Sequence, residues 1–189
     1  MQRTAIAHPS RFPPVVSGAW LSRRWYYTPR THRAYSLRQI SPGDRRLLAE
    51  FALGLGKSTA DRDLPFIREL SDMLFDRVIV TGCDTSVGFA ALEGTSAGDR
   101  IVGVAAYAPA SGDFARFSMA VASGFREEQV GRNLLSTLLR HARRVGMPSL
   151  VGVMHWSNRP MQMLAMSMGF TVETEARDRN LRRLALSLK

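Results

Sequence analysis

What most limits the fold of this chain is a change of hydrophobic period between Val121 and Val130. Before it, residues 78–80, 87–92, 101–107 and 114–121 are short apolar runs. The stretches Gly94-Thr95-Ser96-Ala97-Gly98-Asp99 and Pro109-Ala110-Ser111-Gly112-Asp113 separate the later ones as turns, so the region predicts an antiparallel meander. After it, Leu134, Leu135, Leu138, Leu139, Ala142 and Val145 recur at helical spacing, with Arg132, Ser136, Arg140, Arg143 and Arg144 on the other face. Gly146 stands where a helix ends, and Leu150-Val151-Gly152-Val153-Met154 has the continuous apolar character of a buried strand. Strand, loop, helix and strand in this order form a β-α-β unit appended to a meander, which predicts a mixed α/β (α+β) fold.

The flanks extend the pattern. Weak alternation over 34–40 predicts a first strand, with Tyr35, Leu37 and Gln39 opposite Ser36, Arg38 and Ile40. Ser41-Pro42-Gly43-Asp44 reads as a helix start, Ser41 as N-cap and Asp44 beside the positive end of the dipole. Leu47, Leu48, Phe51 and Leu55 then follow at helical spacing, and Phe66, Ile67, Leu70, Met73 and Leu74 mark a second helix. Residues 160–168 predict a further helix, and 171–174 and 181–188 two last strands.

At 189 residues, 45% hydrophobic and 22% charged, the chain suits one folded domain. Its +10 charge is uneven: the seven arginines Arg3, Arg11, Arg23, Arg24, Arg30, Arg33 and Arg38 precede the first acid, Asp44, and removing them leaves +3. Residues 1–34, with Pro9, Pro13, Pro14 and Pro29, therefore read as a basic N-terminal arm, and 35–189 as the domain. An arm of this kind can touch nucleic acid or another acidic partner, but nucleic acid is not the expected partner, since the basicity belongs to the arm and not to the domain. The arm lacks the apolar run of a secretory signal, although its Arg-rich, acid-free composition has something of an organellar transit peptide. No apolar run is long enough to cross a membrane, and Cys83 stands alone, so a cytoplasmic location and a monomer or homodimer are expected.

The loop of residues 122–129 carries the chemistry. It joins a strand to a helix N-terminus, where unpaired N–H groups and the dipole attract anions. Gly131 allows close approach to the backbone, and Arg126 and Arg132 add positive charge suited to a pyrophosphate.

Arg126-Glu127-Glu128-Gln129-Val130-Gly131 resembles the Gln/Arg-x-x-Gly-x-Gly/Ala signature of the GCN5-related N-acetyltransferase (GNAT) family. The strand at 117–121, the Leu134-Leu135 pair and Asn158 with Gly169-Phe170 resemble its neighbouring motifs, so the likeness covers about residues 35–174. Within the family, Val151-Gly152-Val153, Asn158-Arg159-Pro160-Met161 and Gly169-Phe170 resemble the acetyltransferase domain of bacterial protein-lysine acetyltransferases. The resemblance implies a central twisted, mixed but mostly antiparallel sheet of roughly 6–7 strands flanked by about four helices. It also implies that strands four and five splay at a bulge to admit acetyl-CoA as cosubstrate. It places the cofactor against Met119, Ala120 and Val121, against Arg126, Glu127, Glu128, Gln129, Val130, Gly131 and Arg132, and against Asn158, with an amine as acceptor, a protein lysine being one candidate.

Three positions depart from the family pattern. Gln129 replaces the first glycine of the signature, a change that costs on the order of 1 kcal/mol if φ is positive there. Arg116 falls where protein-lysine relatives carry a basic glutamate, and Ala165 where many members place a tyrosine as acid. The catalytic residues are thus unknown, with Glu93, Asp113 and Glu173 as candidate bases and Ser167 and His155 as candidates near the leaving thiolate. Loss of the base leaves a non-catalytic acyl-CoA-binding module as the alternative.

Other signals carry less. Gly54-Leu55-Gly56-Lys57-Ser58-Thr59 resembles the end of a P-loop, but Phe51 stands where the first glycine is required. His8, His32, His141 and His155 lack the spacing of a metal site, and the methionines from Met154 to Met168 read as core filling.

Overall fold

The computed structural model describes residues 24–27, 33–58, 64–79, 86–110, 113–126 and 129–189. Its elements in chain order are β1 (Arg24–Tyr27), β2 (Ala34–Gln39), α1 (Arg45–Ser58), α2 (Leu64–Asp72), β3 (Val87–Thr95), β4 (Gly98–Pro109), β5 (Ala115–Val121), α3 (Val130–Arg144), β6 (Ser149–His155), α4 (Arg159–Ser167), β7 (Thr171–Thr174) and β8 (Leu181–Ser187). The strands make one eight-stranded sheet in the order β1-β2-β3-β4-β5-β6-β8-β7. Every neighbouring pair is antiparallel except β5 and β6, which run parallel because α3 crosses between them.

The apolar runs of β3 and β4 are continuous because both faces of the sheet are covered. Val87, Phe89, Ala91, Ala105 and Tyr107 pack with Leu134, Leu135, Leu138 and Leu139 of α3. Ala90, Leu92, Val104, Ala106 and Ala108 pack on the opposite face with Leu48, Phe51 and Leu55 of α1 and Leu70 of α2. Burying the four leucines of α3 contributes on the order of 6–12 kcal/mol before chain entropy is subtracted. Gly146 takes φ +70 just past the C-cap of α3, and the Met147 N–H donates to the Ala142 carbonyl, so the helix ends where the sequence places it.

Two features differ from the sequence expectation. Arg24–Tyr27, within the stretch read as an arm, pair with β2, and Tyr26 stacks on Tyr35 at 5.4 Å; this strand lifts the count to eight. Residues 78–79 are not a strand: Met73–Ile79 continue the helical path of α2 as wider π-helical turns. Met73, Leu74 and Ile79 prolong the buried stripe begun by Leu70, and that burial outweighs the β-branched local preference; Val80 lies outside the described residues. In β2, Ser36 is as fully buried as Tyr35 and Leu37 on the opposite face. Ser41 is the N-cap and Pro42 stands in the first turn, as expected. The Asp44 carboxylate accepts from the Ser41 N–H at 2.8 Å and from its hydroxyl at 3.0 Å, and pairs with Arg38 at 2.6 Å. Burial alone would raise the Asp44 carboxyl, but these hydrogen bonds hold it below the ordinary carboxylate range.

Candidate active site

β5 and β6 pair at only two positions, Ala115 with Leu150 and Arg116 with Val151. β5 nevertheless runs on to Val121 and β6 to His155, so the strands part beyond that point. The fork has a steric cause. A Cβ on Gly152 would lie 2.6 Å from Phe117 Cε1, so the Phe117 ring occupies the space that a side chain on β6 would need. Phe170 packs against the same ring, centroids 5.2 Å apart. The wedge requires a glycine opposite it.

The expected bulge lies elsewhere. β5 pairs with β4 in unbroken register. The irregularity sits between β3 and β4, where Ala91 faces Gly103 and Leu92 faces Ile101, which leaves Val102 extra. The unbroken ladder fixes which groups of β5 face the fork. Alternate residues of an antiparallel strand bond to the neighbour. The Ala122 N–H donates to the Val102 carbonyl at 2.9 Å, and this phase gives Ser118 and Ala120 to β4 while Met119 and Val121 turn their N–H and C=O toward β6. With β6 diverging there, these groups present a free strand edge.

The mouth of the fork is the N-terminus of α3. Its first intrahelical bond runs from the Asn133 N–H to the Gln129 carbonyl, so helix geometry leaves the N–H groups of Val130, Gly131 and Arg132 without an acceptor inside the helix. Gln129 has φ +58 and is the only non-glycine residue with positive φ among the described residues. The turn thus demands the left-handed conformation for which the signature glycine is suited. Glutamine meets it at a strain of about 1–2 kcal/mol.

A cleft of about 510 Å³ follows the fork. It brings together Met119, Ala120, Val121, Arg126, Gln129, Gly131, Arg132 and Asn158. Among the described residues its charged lining is Arg126 and Arg132, both at the helix mouth, whereas Leu55, Phe66, Ile67, Met161 and Leu164 form apolar walls. Val130 behaves differently: its side chain is fully buried in the core, so only its backbone can serve a ligand. Ala120 offers the cleft its side chain, not its main-chain groups. Glu127 and Glu128 lie outside the described residues. Asn158 caps α4, its side-chain oxygen accepting from the Met161 N–H at 3.2 Å. Arg132 ties α3 to the end of α4 through a 3.1 Å hydrogen bond to Ser167 Oγ. A Cβ on Gly131 would meet nothing closer than 3.5 Å, so the fold tolerates a side chain there and the glycine matters only for access from the cleft.

Of the candidate acids and bases, His155 alone lines this cleft, with Nδ1 2.7 Å from Ser157 Oγ. Glu93 is ion-paired with Arg33 and Arg100, and Ser167 is engaged by Arg132. Asp113 and Glu173 are exposed outside it, and Ala165 is wholly buried. Arg116 forms an ion pair with Glu69 of α2 at 3.2 Å. Glu69, Ser157 and the Phe117 wedge escaped the sequence reading; the first is far from Arg116 in the chain, and the last shows only as a small residue opposite an aromatic one. Among the described residues no group of three or more His, Cys, Asp or Glu could hold a metal ion, and no helix is long and apolar enough to cross a membrane.

Comparison with known proteins agrees with this geometry. No curated protein sequence matches the chain. The GNAT domain of S. lividans PAT superposes with a TM-score of 0.61 at 18% identity, over 87% of this chain and 96% of that one. An acetyltransferase of the GNAT family from Streptococcus pneumoniae gives 0.63 at 15% identity, over 81% and 99%. The yncA protein of Salmonella typhimurium, solved with its cofactor acetyl-CoA, gives 0.56 at 20% identity, over 82% and 94%. At these identities the likeness is one of fold. The sequence profile of the Acetyltransferase (GNAT) family matches residues 59–170. With that match covering more than half of its length, and with the forked sheet beneath it, the chain belongs to the GNAT family of acetyltransferases.

Proposed function

We propose that this protein is an acetyl-CoA-dependent N-acetyltransferase acting on a primary amine, with a protein lysine among the acceptors this reading admits. The observation that carries it is the free edge of β5 leading to the open N-terminus of α3. Amides of a pantetheine arm can pair with Met119 and Val121 as an added strand does, and a pyrophosphate can accept from the N–H groups of 130–132 with Arg126 and Arg132 beside it. This arrangement directs the thioester down the fork toward Phe117 and Val153. Residues 35–189 then form the catalytic domain, with 1–34 appended and Arg24–Tyr27 docked on the sheet; a cytoplasmic setting suits the single cysteine.

Positioning a neutral amine in line with the thioester supplies much of the rate of such a transfer. A second reading, an acyl-CoA-binding module without turnover, is favoured by one observation: no carboxylate is among the described residues lining this cleft. Calorimetric titration with acetyl-CoA, followed by thiol release over a panel of amines and lysine peptides, separates the two. Binding with thiol release supports the enzyme, binding without release supports the module, and absence of binding refutes both.

A further inference from the structure

A second cleft of about 1160 Å³ opens on the α2 face of the sheet. It reaches the base of the fork: Arg116 and Val151, the last paired residues, line it, and Val153 lines both clefts. Resting on the reading of the first cleft as the acetyl-CoA site, we infer that this second cleft receives the acceptor, and that the acceptor is a small primary amine carrying an anionic group.

The argument begins with access. A thioester lying along β5 from the α3 mouth ends at the fork, and an attacking amine must reach it by an opening that the coenzyme does not fill. The second cleft is such an opening, and the two meet at Val153. Its lining then limits the acceptor. Glu69, Asp72 and Asp76 line it with Arg68 and Arg77 on the helical wall, and Arg116, Arg183 and Arg177 line it with Glu175 on the sheet side, so both signs are present throughout. An apolar amine leaves both sets of charges unmatched, and a polycation meets the guanidinium groups. An amine bearing a carboxylate or similar anion answers both signs.

Glu69 and Arg116 hold the position nearest the fork and are 3.2 Å apart, each partly exposed. An acceptor of this class can divide the pair, its ammonium taking Glu69 and its anion taking Arg116, so the two side chains already mark the spacing of opposite charges. Arg116 itself cannot accept a proton, but the carboxylate beside it can. The ammonium gives one proton to the Glu69 carboxylate. The resulting amine adds to the thioester carbonyl, the C–N bond forms and the C–S bond breaks. The sulfur leaves as thiolate and takes the second proton of the nitrogen, while Glu69 returns its proton to solvent. Amide, free thiol and one proton are the products.

The test uses the full chain, acetyl-CoA, a set of amino acids each paired with its decarboxylated amine, and a neutral lysine peptide, read as thiol release. The wild type is expected to favour each amino acid over its decarboxylated partner by at least ~10-fold in kcat/KM, the scale of one charged hydrogen bond. Glu69→Gln should lower kcat by ~100-fold for every acceptor, as loss of a proton acceptor does, and leave acetyl-CoA affinity within ~2-fold. Arg116→Gln should abolish the preference for the anionic member of each pair, lowering kcat/KM for it by ~10-fold or more relative to its decarboxylated partner. Preference for the lysine peptide, full activity in Glu69→Gln, or equal loss on both members of a pair in Arg116→Gln overturns the inference. Acetyl-CoA binding without thiol release from any acceptor also overturns it while leaving the coenzyme site standing, whereas failure to bind acetyl-CoA removes both.

Discussion

Replacing Gln129 by glycine isolates the departure at the head of α3. Gln129 is exposed, makes no side-chain capping bond and holds φ +58, so its side chain adds little while its backbone is strained by about 1–2 kcal/mol. Glycine removes that strain but gains ~0.5–1 kcal/mol of disorder in the unfolded chain. The balance is a net stabilisation of roughly 0.5–1 kcal/mol, or about 1–4 °C in Tm for a chain of this size. Gln129→Ala keeps both the Cβ and the strain, and should leave stability within ~0.5 kcal/mol of the wild type. Urea unfolding of the three proteins measures this, and calorimetry should show acetyl-CoA affinity changed by less than ~3-fold, because the contact is made by backbone N–H groups. A Gln129→Gly protein less stable than the wild type would refute the strain argument, since the turn would then not need a left-handed residue.

Gly152→Ala should cost about 1–3 kcal/mol, because the added Cβ falls 2.6 Å from the Phe117 ring, and Phe117→Leu in the same chain should recover part of it; denaturant midpoints check both. Asp44→Asn leaves Arg38 half-buried without its carboxylate and should lower stability by about 2–4 kcal/mol at pH 7, read the same way. Burial, with the charge of Arg144 next, pushes the His141 imidazole down to about 4 where it meets the Tyr107 hydroxyl at 2.9 Å. The unfolded chain therefore takes up the proton first, so stability is full above about pH 6.5 and falls toward pH 4, by about 2 kcal/mol at pH 5 from this group alone; His141→Gln should flatten that slope in urea titrations across pH. Asp44 adds to the loss at lower pH, as its depressed carboxyl becomes protonated.

Much of this was legible in the chain because the relevant signals are local. The period change at Val121–Val130, the stripe from Leu134 to Ala142 and the glycine at 146 describe α3 and its ends without any tertiary knowledge. Turn residues at 94–99 place the β3–β4 hairpin for the same reason. What escaped depends on partners distant in sequence. Residues 78–79 look like strand until Leu70 and Leu74 supply a stripe to continue, and Tyr26 reads as arm until Tyr35 lies under it. The site divides along the same line. The anion-binding head of α3 is a contiguous motif, but the fork opens where Phe117 meets Gly152, and the carboxylate paired with Arg116 comes from Glu69 on another element. The positive φ at residue 129 is likewise something that the residue type, glutamine, does not reveal.

The central claim, that the free edge of β5 and the head of α3 together hold acetyl-CoA, is tested most directly by amide hydrogen exchange resolved by residue, with and without the coenzyme. The N–H groups of Met119, Val121 and 130–132 should slow when acetyl-CoA is added, while those of Ser118 and Ala120, already bonded to β4, should change little. Saturation with acetyl-CoA that leaves Met119 and Val121 exchanging as before would contradict the account.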